Sequence, residues 1–136
     1  MNYTLLHAIP GAATYQHLRA ASGLSPKTAE AVARGLPNTL FAVQVLHGGE
    51  PVGMGRVIGD GGTAFQVVDI AVLPGHQGKG LGKRIMEEIA HWLRDNVPPS
   101  GYVSLLADVP ADALYAQFGF VPTAPRTVGM AWKRPG

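Results

Sequence analysis

The stretch Leu73–Ile89, LPGHQGKGLGKRIMEEI, decides the fold, because in it a glycine-rich loop joins an apolar segment to an amphipathic one. Residues 74–83 hold four glycines and two lysines, and Leu81, Ile85 and Ile89 recur every four residues, as on the buried face of a helix. A strand, a glycine loop and a helix start bring backbone N–H groups and the positive end of a helix dipole to one place. The stretch therefore predicts a strand–loop–helix unit with a phosphate-like anion site.

Two familiar phosphate loops do not fit this spacing. A Walker loop counted from Gly75 reaches Gly80, but Leu81 follows where lysine is required. A dinucleotide fingerprint counted from Gly78 has Lys83 at its third glycine position, and no acid follows about twenty residues later. A tight turn with surface lysines remains the alternative explanation for the same glycines.

Composition indicates one globular domain covering residues 1–136, with 46% hydrophobic and 15% charged residues. The net charge is only +2 and no run of five like charges occurs, so we expect no nucleic-acid partner. No window of about 18 apolar residues and no leader-like start are present, so we expect no membrane association and a cytoplasmic protein. Without cysteine, and with histidines at unsuitable spacing, we expect no metal.

Hydrophobic period and chain breakers predict the remaining elements. The expected strands are Tyr3–Ile9, Thr39–Leu46, Pro51–Ile58, Thr63–Leu73 and Tyr102–Ala107, with a closing hairpin of Phe120–Val121 and Val128–Trp132. The expected helices are Ala12–Ala21, one from Ser25 and Pro26 to about Arg34, Gly80–Asn96, and Ala111–Phe118. The order predicts a mixed α/β (α+β) fold in which helices cover a largely antiparallel sheet.

A third loop pattern does fit. Gln77-Gly78-Lys79-Gly80-Leu81-Gly82 resembles the (Gln/Arg)-x-x-Gly-x-(Gly/Ala) loop with which GNAT N-acetyltransferases hold the pyrophosphate of acetyl-coenzyme A (acetyl-CoA). Val68–Val72 is similar to that family's fourth strand, and Leu114–Phe120, LYAQFGF, resembles its (Leu/Phe)-Tyr-x-x-x-Gly-Phe segment. The resemblance covers nearly the whole chain. It implies the acyl-CoA N-acyltransferase fold, with six to seven mostly antiparallel, twisted strands splayed between strands four and five, and about four flanking helices.

The resemblance also implies how acetyl-CoA would be held. The cofactor arm would pair with the fourth strand, where a backbone N–H would polarise the thioester carbonyl. Asp108 stands where many relatives have asparagine; it could contact the arm, contact the amine, or cap the helix that begins near Ala111. The implied cofactor-binding residues are Ile70, Ala71, Val72, Gln77, Gly78, Lys79, Gly80, Leu81, Gly82, Lys83, Asp108 and Tyr115.

Two residues are candidates for catalysis by this resemblance. Tyr115 stands at the family's position for the general acid that protonates the leaving thiolate, a role open to a phenol with a pKa of about 10. Packing on the short helix is the alternative for Tyr115. Asp69, the one acid on the fourth strand, is the candidate general base, and a structural hydrogen-bonding role is its alternative.

The function that these expectations imply is acetyl-CoA-dependent acetylation of a small-molecule primary amine, by direct attack in a ternary complex of a monomer or homodimer. The acceptor walls, roughly residues 18–36 and 123–130, are basic, and Arg34 and Arg126 are candidate substrate contacts. An amine that carries a carboxylate or phosphate would suit them. A non-catalytic acyl-CoA sensor, a protein or peptide N-acetyltransferase, and a binding protein for another phosphate ligand are the alternatives.

Overall fold

Five strands form one sheet in the computed structural model, which describes residues 2–136. They are β1 (Tyr3–Leu6), β2 (Phe41–His47), β3 (Glu50–Gly59), β4 (Ala64–Val72) and β5 (Tyr102–Ser104). Strands adjacent in sequence are adjacent in the sheet. The first four are antiparallel, because tight turns join β2 to β3 and β3 to β4, whereas β5 runs parallel to β4 after a helical crossover.

Helices cover both faces of this sheet. They are α1 (Ala12–Ala21), α2 (Ala29–Gly35), α3 (Leu81–Asn96) and α4 (Asp112–Ala116), with single 3-10 turns at Leu36–Asn38 and Pro74–His76. Successive side chains of a strand point to opposite faces, so β3 contributes to two cores. Val57 packs in the cluster of Ile85 and Ile89 from α3, whereas Met54 packs with Leu18 of α1. None of the helices in residues 2–136 is long and apolar enough to cross a membrane.

The sheet opens between its fourth and fifth strands, as expected. Ala64–Gln66 pairs with Tyr102–Ser104, and no further pairs join the two strands. Beyond them, Val67–Ile70 of β4 and the segment from Leu105 to Asp108 line a cavity of about 200 Å³. This opening forms the cleft between β4 and β5.

The predicted count of six to seven strands is corrected to five, because the expected closing hairpin is not formed. Residues 121–136 contain neither helix nor strand. Val128, Met130 and Trp132 alternate as in a half-buried strand, yet they are 67%, 89% and 81% exposed. A strand also needs a neighbouring edge, and β5, the edge strand, ends at Ser104. Alternation alone was therefore insufficient evidence for these strands.

Several predicted boundaries also shift inward. The second helix begins at Ala29 and not near Ser25, because the Thr28 hydroxyl accepts a hydrogen bond from the Ala31 N–H and caps it. The Ser25 carbonyl instead accepts from Arg19. The first and fifth strands end early, at Leu6 and Ser104, the last residues that pair with β2 and β4. The fourth helix keeps only Asp112–Ala116.

Gly55 should be sensitive to substitution because α3 lies directly over it. A Cβ at this position would lie 2.6 Å from Ile85 Cγ2, 2.7 Å from Ile70 Cδ1 and 3.0 Å from Ile89 Cδ1. We predict that Gly55→Ala lowers the free energy of unfolding by about 1–3 kcal/mol in urea titrations, through overpacking. Gly62→Ala, whose Cβ would meet no atom within 4 Å, is the control and should change stability by less than about 0.5 kcal/mol. Equal stability of the two variants would contradict this packing.

Candidate active site

The glycine loop ends in a helix start that has no capping side chain. Gly80 is the N-cap of α3, and both Gly78 and Gly80 have a φ of 76°, a left-handed conformation that favours glycine. A Cβ at either position would meet no protein atom within 4 Å. The N–H groups of the first helical turn thus have no side-chain cap within residues 2–136, and the exposed Lys79 and Lys83 lie next to them.

Two side chains fix the ends of this loop. The Gln77 amide donates a hydrogen bond to the Val72 carbonyl at 3.0 Å and so folds the loop back on the end of β4. A hydrogen bond of 2.8 Å joins the Tyr3 hydroxyl to His76 Nδ1, which ties the loop to β1. These two hydrogen bonds hold the loop against β4 and β1.

Gly82 has a packing role in the structure. A Cβ there would lie 3.2 Å from Leu114 Cδ2, so α4 lies against the first turn of α3. This contact carries the next residue, Tyr115, to the cleft between β4 and β5, where Tyr115 and Asp108 line the same cavity as Asp69 and Ile70.

Tyr115 is half-buried, and its pKa is raised above the usual value by burial and secondarily by the negative charge of Asp108. The phenol is therefore protonated at neutral pH. The carboxylate of Asp108 does not cap α4: Ala111 is the N-cap, and Asp108 supplies only its backbone carbonyl, which accepts from the Ala111 N–H at 2.7 Å. The Asp108 side chain therefore does not cap α4, which was one of the alternatives for this residue.

Asp69 lies at the centre of a buried polar network. Its carboxylate accepts hydrogen bonds from the Tyr15 hydroxyl at 2.9 Å, from Arg19 Nη1 at 2.5 Å and from Arg56 Nε at 2.9 Å. Its side chain is only 7% exposed. Both carboxylate oxygens are therefore held by donors from α1 and β3.

The backbone at Asp69 forms a β-bulge. Met54 pairs with Ala71 and Arg56 with Val68, so Gly55 alone faces both Asp69 and Ile70. Asp69 has a φ of 58°, which an aspartate adopts more readily than most residues. A bulge of this kind leaves a residue outside the ladder and redirects its backbone groups. It occurs where β4 faces the cleft.

The candidate substrate residues are not in this cleft. Arg34 is exposed and pairs with Glu30 at 2.9 Å on the outer face of α2. Arg126 is exposed in a turn. Neither lines the cavity beside Tyr115.

Sequence reasoning missed Tyr15, Arg19 and Arg56, which hold the bulge. Arg56 interrupts an apolar strand, and a charged residue in such a run signals a buried partner, since arginine is rarely buried unless paired. That signal, had it been used, predicts a paired arginine but not its partner, which is Asp69, 13 residues away. Arg19 gave no comparable signal.

The five-stranded sheet, its four helices and the glycine loop before α3 define a GNAT-like mixed α/β fold. Residues 12–120 match the sequence model of the acetyltransferase (GNAT) family. The chain belongs to that family.

Solved structures agree with this assignment. A protein of unknown function from methicillin-resistant Staphylococcus aureus, called a probable acetyltransferase, is 50% identical with a TM-score of 0.92, covering 98% of this chain and 100% of that one. A GNAT family acetyltransferase from Streptococcus pneumoniae is 26% identical with a TM-score of 0.79, covering 99% and 100%.

One curated relative has a named acceptor. Histone acetyltransferase TAP1 of Glycine max is 30% identical over 100 residues, which cover 69% of this chain and 42% of that protein. The chain thus matches less than half the length of this relative.

Removing the Asp69 carboxylate should strongly destabilise the protein. Asp69→Ala leaves two buried guanidinium groups without a counter-charge, a change that costs about 3–5 kcal/mol. We expect that loss in urea unfolding monitored by circular dichroism. Glu30→Ala, which breaks the exposed Glu30–Arg34 pair, is the control and should cost about 0.3–0.5 kcal/mol. A small effect of Asp69→Ala would contradict a role for this carboxylate in stability.

Proposed function

We propose that this protein is an acetyl-CoA-dependent N-acetyltransferase that acetylates a primary amine of a small molecule by direct attack in a ternary complex. The observation that carries the proposal is the juxtaposition of an open, glycine-lined helix start with a cleft that contains the β4 bulge and Tyr115. Bound acetyl-CoA would supply the acetyl group as a thioester. The chain's own residues would bind it, orient it and move one proton.

The glycine loop suits a pyrophosphate. The open space at Gly78 and Gly80 lets phosphate oxygens approach the backbone, and the uncapped N–H groups of α3 are donors for them. Lys79 and Lys83 add positive charge at the same place. The proposed cofactor contacts of the loop are Gln77, Gly78, Lys79, Gly80, Leu81, Gly82 and Lys83.

The exposed side of β4 suits the remainder of the cofactor. Since β4 and β5 separate after Gln66, the backbone of Ile70–Val72 has no partner in β5 and can pair with an amide-bearing arm. An N–H at the bulge would then polarise the thioester carbonyl. Asp69, held by three donors, acts in this scheme by fixing the bulge. A water molecule is a better general base for the amine than this engaged carboxylate.

Tyr115 is the proposed general acid. Its raised pKa keeps the proton on the phenol until the leaving sulfur gains negative charge, and its position in the cleft excludes bulk water from one side. Asp108 is exposed beside it and is the proposed contact for the ammonium form of the acceptor. The acceptor therefore approaches between Asp108 and the bulge.

A protein or peptide amine is the second candidate acceptor. The similarity to the soybean histone acetyltransferase favours it, although it extends over less than half of that relative. A turnover assay that compares small amines with lysine peptides, at the same concentration of acetyl-CoA, distinguishes the two classes of acceptor. Binding of acetyl-CoA with no turnover on either set would instead support the non-catalytic sensor.

Calorimetric titration with acetyl-CoA tests whether the glycine loop binds the pyrophosphate of the cofactor. We expect saturable binding of acetyl-CoA and none of pantetheine, which lacks the pyrophosphate. Gly80→Ala should weaken acetyl-CoA binding about tenfold or more, because it strains the backbone that presents the N–H groups. Gly61→Ala is a matched control, since Gly61 is also left-handed with open space at its Cβ but lies in the turn before β4. Equal affinity for acetyl-CoA and pantetheine would remove the loop from cofactor binding.

Replacing Tyr115 tests whether this residue is the general acid. Tyr115→Phe should lower kcat about tenfold or more with little change in KM for acetyl-CoA, since positioned proton transfer is worth about 10²- to 10⁴-fold. Tyr102→Phe, at an exposed tyrosine, is the control. Asp108→Asn should lower the pKa of Tyr115 and so move the alkaline decline of kcat to lower pH, because the anion beside the phenol raises that pKa. An unchanged kcat in Tyr115→Phe, with chemistry limiting turnover, would disprove the assignment.

A further inference from the structure

A second cavity, of about 220 Å³, lies between α1, α2 and β3. Its lining residues are Tyr15, Lys27, Ala31, Val32, Gly35, Leu36 and Arg56. It shares none of them with the cavity that Asp69 and Tyr115 line. Tyr15 and Arg56 support the acetyl-transfer site only through their hydrogen bonds to Asp69. This α1–α2 cavity has no assigned purpose in the mechanism.

Positive charge is in excess beside the α1–α2 cavity. Arg19 and Arg56 are each only 7% exposed, and both bind one carboxylate, that of Asp69. All three nitrogens of Arg19 have protein acceptors: Nη1 donates to Asp69, Nε donates to the Ser25 carbonyl at 2.9 Å, and Nη2 donates to that carbonyl at 2.7 Å and to Ser25 Oγ at 3.1 Å. The network therefore holds one more guanidinium charge than carboxylate charge.

Arg56 retains donors that no protein atom uses. Its Nε donates to Asp69 and its Nη1 to Thr39 Oγ1 at 2.5 Å, whereas Nη2 has no acceptor within residues 2–136. In the described part of the chain, no completely enclosed side-chain nitrogen lacks a hydrogen-bond partner. Nη2 therefore keeps some accessible surface, and Arg56 lines the α1–α2 cavity. Buried charged donors of this kind gain much from an anionic acceptor.

The rest of the lining defines the class of anion. Lys27 is exposed and adds a second cation, while Ala31, Val32 and Leu36 are apolar. One surplus buried charge matches one carboxylate, and the apolar wall matches a short hydrocarbon body. A phosphate has no hydrocarbon body and would set oxygens against the apolar wall of Ala31, Val32 and Leu36, where those side chains offer no donor. We propose that the α1–α2 cavity binds a small aliphatic carboxylate, with its oxygens on Arg56 Nη2 and Lys27.

An NMR titration of the intact protein with sodium butyrate tests this without acetyl-CoA or any acceptor, so its outcome is independent of the proposed transferase function. We expect saturable shifts centred on the amides of Val32 and Leu36, with a Kd in the millimolar range, as suits so small a ligand. Butylammonium chloride at equal ionic strength should cause none. No saturable shift with butyrate, or equal shifts with butylammonium, would overturn the proposal, and tighter binding of inorganic phosphate would overturn the carboxylate class.

Two variants locate the site. Lys27→Glu, at an exposed position, should fold normally and weaken butyrate binding about tenfold, because it places an anion at the proposed binding point. Lys133→Glu makes the same charge change at an exposed residue outside the lining and should leave the Kd unchanged. Arg56→Lys, used if its unfolding transition remains cooperative, should abolish saturation, since it removes the free Nη2. Equal effects of Lys27→Glu and Lys133→Glu would reduce the interaction to general electrostatics and overturn the site.

Discussion

A single buried carboxylate, that of Asp69, joins the parts of this protein that have to meet at the cleft. It accepts hydrogen bonds from Tyr15 and Arg19 of α1 and from Arg56 of β3, while its own backbone forms the bulge of β4. Burying such charges is costly, and only a complete set of partners offsets the cost. The helix, the two strands and the loop that Arg19 holds at Ser25 are consequently fixed relative to one another.

This constraint explains why the open edge of β4 can remain open. An unpaired stretch of strand in the middle of a sheet would normally close onto its neighbour or bend. Here the bulge residues are held from the opposite side of the sheet, and Gly55 lets α3 press close to them. The Asp69 network therefore supports the bulge from one side and leaves the edge of β4 that faces β5 free for a ligand. Rigid support of this kind is a general requirement of preorganised sites.

Local signals made much of the fold predictable. The glycine loop and the four-residue period of α3 are short-range patterns, and so are the turns at Gly48 and Gly61, which is why the order of elements through β5 was foreseen. The Asp69 network was not, because the partners of Asp69 lie 13 to 54 residues from it in sequence and ion pairing leaves no periodic trace. The closing hairpin was wrongly predicted from Val128–Trp132, since alternation describes a strand's faces but not its neighbour. The roles of Tyr115 and the loop rested on resemblance, to which the structure adds their positions.

The close approach of Leu114 to Gly82 limits which substitutions the two helices tolerate. A Cβ added at position 82 would lie 3.2 Å from Leu114 Cδ2, on the helix that carries Tyr115. A larger side chain there would therefore be accommodated only by a shift of Leu114, the residue before Tyr115. The helix that begins the anion loop and the helix that carries the tyrosine are thus sterically coupled, and the effects of substitutions at positions 82 and 114 should depend on one another.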